Sequence, residues 1–343
     1  MLRTTRPFWL VVAGLAALAG VSDATTHDFY AGRTVRIVVS AAPGGGFDTY
    51  SRTIARHMGK HIPGRPVLIV ENMPGAGGLI AANHVYKVAK PDGLTIGNFS
   101  GGLVSQQLVK SPGVEFDARK FEWLGVPVKD HVVCAVTRAS GISSVETWMA
   151  ARTPVKLGAT GAGTNTYDSP KVLKTTLALP IQVVAGYKGT AEIRLAVDSG
   201  ELAGGCWAWE SIKVTWGKAL ETGDLRIVLQ ASPKAHADLP SIPVAITLAK
   251  TDEARQLIEA GIHDPSAITR LYAAPPGTPK ARVQLLRRAF AATMQDAEFR
   301  AEAERVKLDV DPIPGEEVER IVARTFAREP ALVAKLKEAL AAK

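Results

Sequence analysis

The feature that most constrains this chain is a repeated plan: a short apolar strand, a loop rich in glycine, and then a helix. The segment 34–39, TVRIVV, is followed by PGGG at 43–46 and by a helical pattern that begins at Asp48. The strand-like segments 66–70 and 155–159 precede comparable glycine loops. Buried β-branched runs that alternate with helices are typical of α/β folds with mainly parallel sheets. The repeat therefore predicts an α/β protein, and 343 residues are enough for two domains.

The first two dozen residues have the pattern of a secretory signal peptide. Arg3 and Arg6 precede an apolar stretch over 8–21, and Ser22 and Ala24 are the small residues that a signal peptidase accepts. The apolar stretch is shorter than the ~20 residues that a membrane-spanning helix needs. We therefore expect cleavage after Ala24 and a soluble mature protein in the periplasm.

Charge and cysteine content limit the partners of the chain. The formal net charge is +8, but the basic residues are scattered among acidic ones, so the sequence predicts no nucleic-acid-binding surface. A basic protein is compatible with an anionic ligand. Outside the cytoplasm Cys134 and Cys206 can form a disulfide, and the sequence leaves two separate buried thiols as the alternative.

Three of the glycine loops have the composition of an anion site. They cover 44–48, 72–78 and 160–166, and each joins a strand to a helical pattern. The first N–H groups of a helix have no partner within it, and the helix dipole is positive at that end. Glycine lets a ligand approach the backbone, and the Asn72 side chain adds a hydrogen-bond donor. A single loop of this kind is often only a turn, but three together favour anion binding.

Nucleotide, hydrolase and metal motifs are incomplete in this sequence. The glycines at 158–163 have the order G-x-x-G-x-G rather than G-x-G-x-x-G, and the G-K-[ST] ending of a P-loop is missing. The G-x-S-x-G motif of α/β hydrolases is also missing. His57 and His61 have the spacing of a zinc pair, but the glutamate of H-E-x-x-H is lacking and Gly59 lies between them. We therefore expect neither a cofactor nor a metal ion.

Five segments resemble the successive signatures of one family. They are VVSAAPGGGFD at 38–48, VENMPGAGG at 70–78, KPDGLT at 90–95, YKGTA at 187–191 and ADLPSIP at 237–243. On these segments the chain is identified as a member of the Bug family, the extracytoplasmic substrate-binding receptors of tripartite tricarboxylate transporters. The match spans nearly the whole mature chain in the same order, and N-x-P-G-A-G-G at 72–78 is its most specific part.

The resemblance implies a two-lobed periplasmic binding protein of type II, with the ligand cleft between two mainly parallel-sheet lobes. Residues 1–24 would be the signal peptide, 25–126 and 245–343 the first lobe with the C-terminal helices, and 127–244 the second lobe. The implied protein is a monomer without catalytic activity that captures a small carboxylate or dicarboxylate and delivers it to integral-membrane permease subunits. The alternative is a secreted α/β hydrolase or lyase that uses Asp48 or Glu210.

The resemblance also implies where the ligand binds, between two loops of the first lobe and one of the second. The candidate residues on these loops are Ala42, Gly45, Phe47, Asp48, Asn72, Ala76, Gly77, Gly161, Gly163, Thr164 and Asn165.

Two departures from the family pattern extend this candidate set. Phe47 stands where Thr or Ser is common, and Trp207 to Glu210 replace a stretch that often contains Phe-Asp. If Trp207 and Trp209 alternate along one strand, both rings face the same side. Together with Phe47 they would favour an aromatic or cyclic carboxylate, whereas packing inside the second lobe is the alternative. Glu210 would then bond to a ligand hydroxyl or amine, or turn to solvent.

Overall fold

Two β-sheets organise the computed structural model, which describes residues 29–342. The predicted signal peptide, residues 1–24, lies outside the described residues. The strands of the first sheet are β1 (Thr34–Val39), β2 (Val67–Asn72), β3 (Thr95–Phe99), β4 (Glu122–Val126), β10 (Leu271–Ala274) and β11 (Ile313–Pro314). The second sheet contains β5 (Val132–Thr137), β6 (Val155–Ala159), β7 (Ile181–Ala185), β8 (Gly204–Ala208) and β9 (Leu225–Gln230). Each sheet forms one lobe with the helices that pack on it.

The strand order is β11-β4-β10-β3-β1-β2 in the first sheet and β7-β6-β8-β5-β9 in the second. In the first sheet β1 pairs in parallel with β2 and β3, while β10 runs antiparallel to β3 and β4. In the second sheet β6 pairs in parallel with β7 and β8, while β5 runs antiparallel to β8 and β9. The two-lobed α/β fold is thus confirmed, but the sheets are mixed, which corrects the prediction of mainly parallel ones.

The reversed strands have a common cause. β5 is the first strand after the chain crosses to the second lobe, and β10 is the first strand after it returns. The parallel strands end at the edges that face the cleft. A chain that arrives from the other lobe starts its strand at that same edge and runs away from it. Such a strand must be antiparallel to its neighbours, and an apolar run in the sequence does not show this direction.

Helices cover the sheets of both lobes. They are α1 (Gly46–Met58), α2 (Leu79–Lys87), α3 (Gly102–Leu108), α4 (Val145–Met149), α5 (Asn165–Leu177), α6 (Thr190–Asp198), α7 (Trp209–Glu221), α8 (Ala245–Leu248), α9 (Asp252–Ile258), α10 (Asp264–Ala267), α11 (Lys280–Gln295), α12 (Ala297–Arg305), α13 (Gly315–Phe326) and α14 (Pro330–Ala341). A π-helical turn, Glu259–His263, joins α9 to α10. Within 29–342, none of these helices has both the length and the apolar character needed to cross a membrane.

Alternate residues of the central strands enter cores on opposite faces of each sheet. Ile37 packs in one cluster with helix α11, whereas its neighbour Val38 packs in another with helix α2. Ile258 of α9 and Leu336 of α14 pack in the core of the second sheet, so the chain after residue 244 does not pack on the first sheet alone. The lobe boundaries at 126/127 and 244/245 stay a prediction.

Cys134 and Cys206 lie directly opposite each other on β5 and β8 and form a disulfide. Facing residues on antiparallel strands have their β-carbons close together. The register of these two strands therefore brings the two sulfur atoms together, which decides between the alternatives that the sequence left open.

Candidate functional site

A cavity opens between the two lobes, at the edges where the parallel strands end. Ser40 follows β1, Ser100 follows β3 and Thr160 follows β6, and all three line the cavity. Its empty volume, with the open mouth included, is about 700 Å³, and residues of both lobes line it. In α/β folds ligands bind at the carboxyl ends of the strands, so this cavity is the candidate site.

Several helices begin at the cavity wall, among them α1 of the first lobe and α5, α6 and α7 of the second. The lining residues at their starts are Gly45, Gly46 and Phe47 for α1, Thr164, Asn165 and Thr166 for α5, Gly189 and Thr190 for α6, and Ala208 and Ser211 for α7. In none of the four does the N-cap side chain accept a hydrogen bond from the first turn. Among the other described helices only α4, α9 and α12 have capping side chains, so the uncapped N-termini at the cavity are set apart by their position rather than by the missing cap. The N-termini at the cavity thus combine uncapped first turns with the positive ends of four helix dipoles, an arrangement that favours an anion.

The first loop is held in place by Asp48 and Asn72. The Asp48 carboxylate accepts hydrogen bonds from the Gly44 N–H at 3.0 Å and from Arg52 Nε at 2.9 Å. Asn72 Nδ2 donates to Asp48 Oδ1 and to the Ala41 carbonyl, each at 2.9 Å. Burial raises the pKa of Asp48, but the hydrogen bonds from Arg52, Gly44 and Asn72 outweigh this effect, so its pKa lies below the usual value. Asp48 and Asn72 therefore shape the loop without lining the cavity.

Glycines allow the loops of the two lobes to touch. A β-carbon on Gly77, whose φ is +65°, would lie 2.4 Å from the Ala162 carbonyl oxygen. A β-carbon on Gly161 would lie 2.8 Å from the Gly77 nitrogen. Elsewhere between the lobes, the Ala42 N–H donates to the Lys188 carbonyl at 3.0 Å. Gly161 and Ala42 thus contribute to the contact between the lobes rather than to the cavity wall.

Asp168 ties the third loop to the first lobe. The Gly163 N–H donates to its two carboxylate oxygens at 3.1 and 3.0 Å, and Gln106 Nε2 of α3 donates to Oδ2 at 3.2 Å. Burial raises the pKa of Asp168 to about 7 although these hydrogen bonds oppose the shift. Gly163, a predicted site residue, acts here through Asp168 rather than on the cavity.

Hydroxyl groups of the third loop do line the cavity. Thr164 Oγ1 lies 2.9 Å from Thr160 Oγ1 and 2.8 Å from Thr166 Oγ1, and it donates to the Gly161 carbonyl at 2.7 Å. Asn165 Nδ2 donates to Thr269 Oγ1 at 3.1 Å. Hydroxyl groups can rotate, so this cluster can offer either donors or acceptors to a ligand.

Of the two tryptophans predicted to face the cleft, Trp207 lines the cavity and Trp209 does not. The expected alternation is wrong because β8 ends at Ala208, and Trp209 is already the first residue of helix α7. Trp209 Nε1 donates to Asp238 at 2.9 Å, outside the cavity. The Trp207 ring stacks on Trp216 with 5.4 Å between the ring centres, and its Nε1 is buried without a hydrogen-bond partner among residues 29–342.

Arg270 is a cavity residue that the sequence analysis missed. Its side chain is 1% exposed, and its Nε lies 2.9 Å from Asp130 Oδ1, which also belongs to a residue of the cavity wall. The guanidinium carbon lies 5.1 Å from the centre of the Phe47 ring and 4.6 Å from that of Tyr50. A single arginine before a short apolar strand belongs to no motif, so nothing in the sequence marked it.

Glu210 lies close to this pair but not on the cavity wall. Its carboxylate oxygens accept the His131 N–H at 3.2 and 3.0 Å. Burial and the nearby Asp130 raise the pKa of Glu210 to about 8. Glu210 is 3% exposed, so it does not turn to solvent, and its bonding to a ligand stays a prediction.

The cavity therefore contains some of the predicted residues and not others. Those that line it are Gly45, Phe47, Gly77, Thr164, Asn165 and Trp207, and those that do not are Ala42, Asp48, Asn72, Ala76, Gly161, Gly163 and Trp209. Tyr187 and Lys188 also line it. Both belong to the YKGTA segment, so the resemblance itself could have identified them.

The two histidines with zinc-like spacing are engaged with acidic side chains on other helices. His57 Nε2 lies 2.7 Å from Glu302 Oε2, and His61 Nε2 lies 3.1 Å from Asp296 Oδ2. Lys60 Nζ adds a bond of 2.8 Å to Asp296 Oδ1. These contacts link α1 and the turn after it to the segment around α12, and none of these residues lines the cavity.

Comparisons with known proteins match the chain to a family of transporter receptors. Residues 50–337 match the family described as the tripartite tricarboxylate transporter family receptor. The UPF0065 protein in the gbd 5′ region of Cupriavidus necator is 29% identical over 344 residues, covering 94% of this chain and 92% of that protein. The solved periplasmic binding protein BugD has a TM-score of 0.71 at 21% identity, covering 90% of this chain and 98% of BugD. MatC from Rhodopseudomonas palustris, solved with bound malate, has a TM-score of 0.70 at 22% identity over 90% of this chain and 99% of MatC.

Proposed function

We propose that this chain, which belongs to the tripartite tricarboxylate transporter receptor family, closes its two lobes on a carboxylate and delivers it to a membrane permease. The Bug-family resemblance of its loops is confirmed by this match and by the similarity to BugD. The observation that carries the proposal is the convergence of four helix N-termini, without capping side chains, on one cavity between the lobes.

A carboxylate suits these donors. Backbone N–H groups and hydroxyl groups that donate to an ionised oxygen form hydrogen bonds roughly twice as strong as neutral ones. Because α1 belongs to the first lobe and α5 to the second, an anion between them contacts both lobes and favours their closure. MatC, which has the same fold, was solved with malate, a dicarboxylate, and this supports the ligand class.

The hydrolase or lyase alternative is not favoured. It would use Asp48 or Glu210, and neither lines the cavity. The Asp48 carboxylate accepts hydrogen bonds from Arg52, Asn72 and the Gly44 N–H, and the Glu210 carboxylate accepts one from the His131 N–H. Under this proposal the ligand leaves the protein chemically unchanged.

The proposal places the mature protein in the periplasm as a monomer. The basic and apolar pattern of residues 1–24 supports export, and the family is that of transporter receptors. The cross-strand disulfide between Cys134 and Cys206 suits an oxidising compartment. The partners are then the integral-membrane subunits of a tripartite transporter.

The test is a ligand screen on refolded protein, from which any co-purified solute has been removed. Small mono- and dicarboxylates, each paired with its full amide, are added and the melting temperature is recorded. A ligand that binds the native state raises the melting temperature, so we expect acids to raise it and amides to leave it unchanged. Binding is then measured by calorimetry, and chromatography of the incubated acid is expected to return it intact. Equal affinity for an acid and its amide, or conversion of the acid, would refute the proposal.

A further inference from the structure

Arg270 is a buried cation whose hydrogen-bonding capacity is only partly used. Its Nε is close enough to Asp130 for an ion pair, but neither Nε nor Nη1 forms an aligned hydrogen bond with the described part of the chain. A buried donor without a partner costs free energy comparable to a lost hydrogen bond, and more when it is charged. Arg270 belongs to the cavity wall, so a ligand oxygen is able to satisfy it.

The surroundings of Arg270 leave room for one more acceptor. The rings of Phe47 and Tyr50 cover the guanidinium group, a placement that stabilises a cation without using its N–H groups. The carboxylate that pairs with it is that of Asp130. Because the pKa of Glu210 is raised to about 8, this second nearby carboxyl is mainly uncharged at neutral pH.

The start of helix α1 is shaped to let polar groups approach. A β-carbon on Gly46 would lie 2.1 Å from Ser211 Oγ and 3.0 Å from Arg270 Nη1. Any other residue at 46 would therefore push both groups away. Gly46, Ser211 and Arg270 all line the cavity, so a hydroxyl, a guanidinium and a helix N-terminus meet on its wall.

We infer that Arg270 binds a second acidic group of the ligand, so that the preferred ligands are dicarboxylates. One carboxylate lies among the helix N-termini of both lobes, and the other accepts a hydrogen bond from Arg270 with Ser211 beside it. The Phe47 and Trp207 rings contact the body of the ligand between the two ends. This inference rests on the proposed function, since it assigns the second end of a ligand whose first end binds at the helix N-termini.

A structural role for Arg270 is the competing explanation. Asp130 follows β4 on the first crossover between the lobes, Arg270 precedes β10 on the second, and the Asp130 N–H donates to the Ser266 carbonyl at 3.1 Å. The ion pair between Arg270 and Asp130 thus also joins the two crossovers. A purely structural pair would affect all ligands equally, whereas an anchor for the second carboxylate affects only ligands that have one.

The experiment compares dicarboxylates with their monoamides. Succinate, malate, adipate and isophthalate, each with its monoamide, are titrated by calorimetry into the refolded wild type, the Arg270→Lys variant and the Asp130→Asn/Arg270→Met double variant. The double variant removes both charges together, so neither is left buried without its partner. In the wild type we expect the best diacid to bind about tenfold or more tightly than its monoamide, the effect of one hydrogen bond to a charged group. In both variants this ratio should fall toward one while the affinity for the monoamide is retained.

The matched control is Arg282→Lys. The Arg282 guanidinium packs on Phe29, away from the cavity, so this change should leave the ratio unaltered. The inference would be overturned if the wild type bound a diacid and its monoamide equally, or if the ratio of these two affinities were unchanged in the Arg270 variants. In either case, binding of the monoamides, which keep one carboxylate, would still support the proposed function. If the variants lost affinity for the diacid and for its monoamide by the same factor, Arg270 would have the structural role instead. Failure of every acid to bind the wild type would refute the proposed function itself.

Discussion

Replacement of Asp168 by asparagine should change how the stability of the protein depends on pH. Burial raises the pKa of the Asp168 carboxyl from its ordinary value of 3.8 to about 7, even though Gly163 and Gln106 donate hydrogen bonds to it. The folded state therefore holds this proton more tightly than the unfolded state does. Its contribution to stability is fully present below about pH 4 and is lost as the pH rises to about 7.

The size of the effect follows from the two pKa values. One pKa unit corresponds to 1.36 kcal/mol, so a shift from 3.8 to about 7 corresponds to about 4 kcal/mol. Between these values the free energy of unfolding should fall by about 1.4 kcal/mol per pH unit because of this one group. The Asp168→Asn variant has no carboxyl to ionise. Relative to the wild type, it should gain up to about 4 kcal/mol between pH 4 and pH 8.

The assay is urea unfolding of ligand-free protein, followed by circular dichroism at five pH values from 4 to 8. Asp117→Asn is the matched control, because Arg119 lowers the pKa of Asp117 to about 2 and that group does not titrate in this range. The difference in unfolding free energy between wild type and Asp168→Asn should grow from pH 4 to about pH 7 and then level off, while the difference between wild type and Asp117→Asn stays nearly constant. Parallel curves for wild type and Asp168→Asn would refute the reasoning.

Four further predictions concern the disulfide, the loops and the cavity wall. Replacing Cys134 and Cys206 by serine should lower the free energy of unfolding by about 4 kcal/mol, given a separation of 72 residues, and an unchanged urea midpoint would contradict this. Asn72→Ala should weaken acid binding by about 1–3 kcal/mol in calorimetry, because it frees the first loop; an unaltered Kd would argue against that role. Gly77→Ala should weaken binding about tenfold, since a β-carbon there would lie 2.4 Å from a carbonyl oxygen of the other lobe; small-angle scattering should show the lobes staying apart when ligand is added, and normal closure would count against the contact. Phe47→Ala should lower the affinity for isophthalate more than for adipate, by about 0.5–1.5 kcal/mol, because the Phe47 ring would stack on an aromatic ligand. Tryptophan fluorescence titration measures both affinities, and an equal loss for the two acids would contradict this prediction.

The loops of the site were predictable because their function depends on local backbone geometry. The glycine-rich segments 44–46, 75–78 and 161–163 mark turns after strands, and a helix that begins after such a turn presents its free N–H groups wherever the strand ends. The strand and helix periodicity likewise predicted the α/β class. The loops could therefore be named from local patterns, whereas Gly45, Gly77 and Thr164 were named through the family resemblance; the structure places these three on the cavity wall.

Short-range patterns were insufficient where an element changes type or direction. Trp207 and Trp209 have the spacing of one strand face, but the strand ends between them and helix α7 begins. β5 and β10 have apolar sequences like those of the other strands in their sheets. Both nevertheless run antiparallel to the strands they pair with, because the chain enters each of them from the cleft. The direction of a strand depends on where the preceding crossover arrives, which its own residues do not encode.

The sequence by itself determined the α/β class, the glycine loops and the helix starts that follow those loops, all of which arise from interactions between residues close in the chain. Only the tertiary structure decided that Asp130, Glu210 and Arg270 are neighbours. These residues lie on a crossover, a helix start and a second crossover, and they meet because both sheets present the ends of their strands to the same cleft. Burial at that meeting point then sets their charges, since desolvation acts on a group only after distant segments have packed around it.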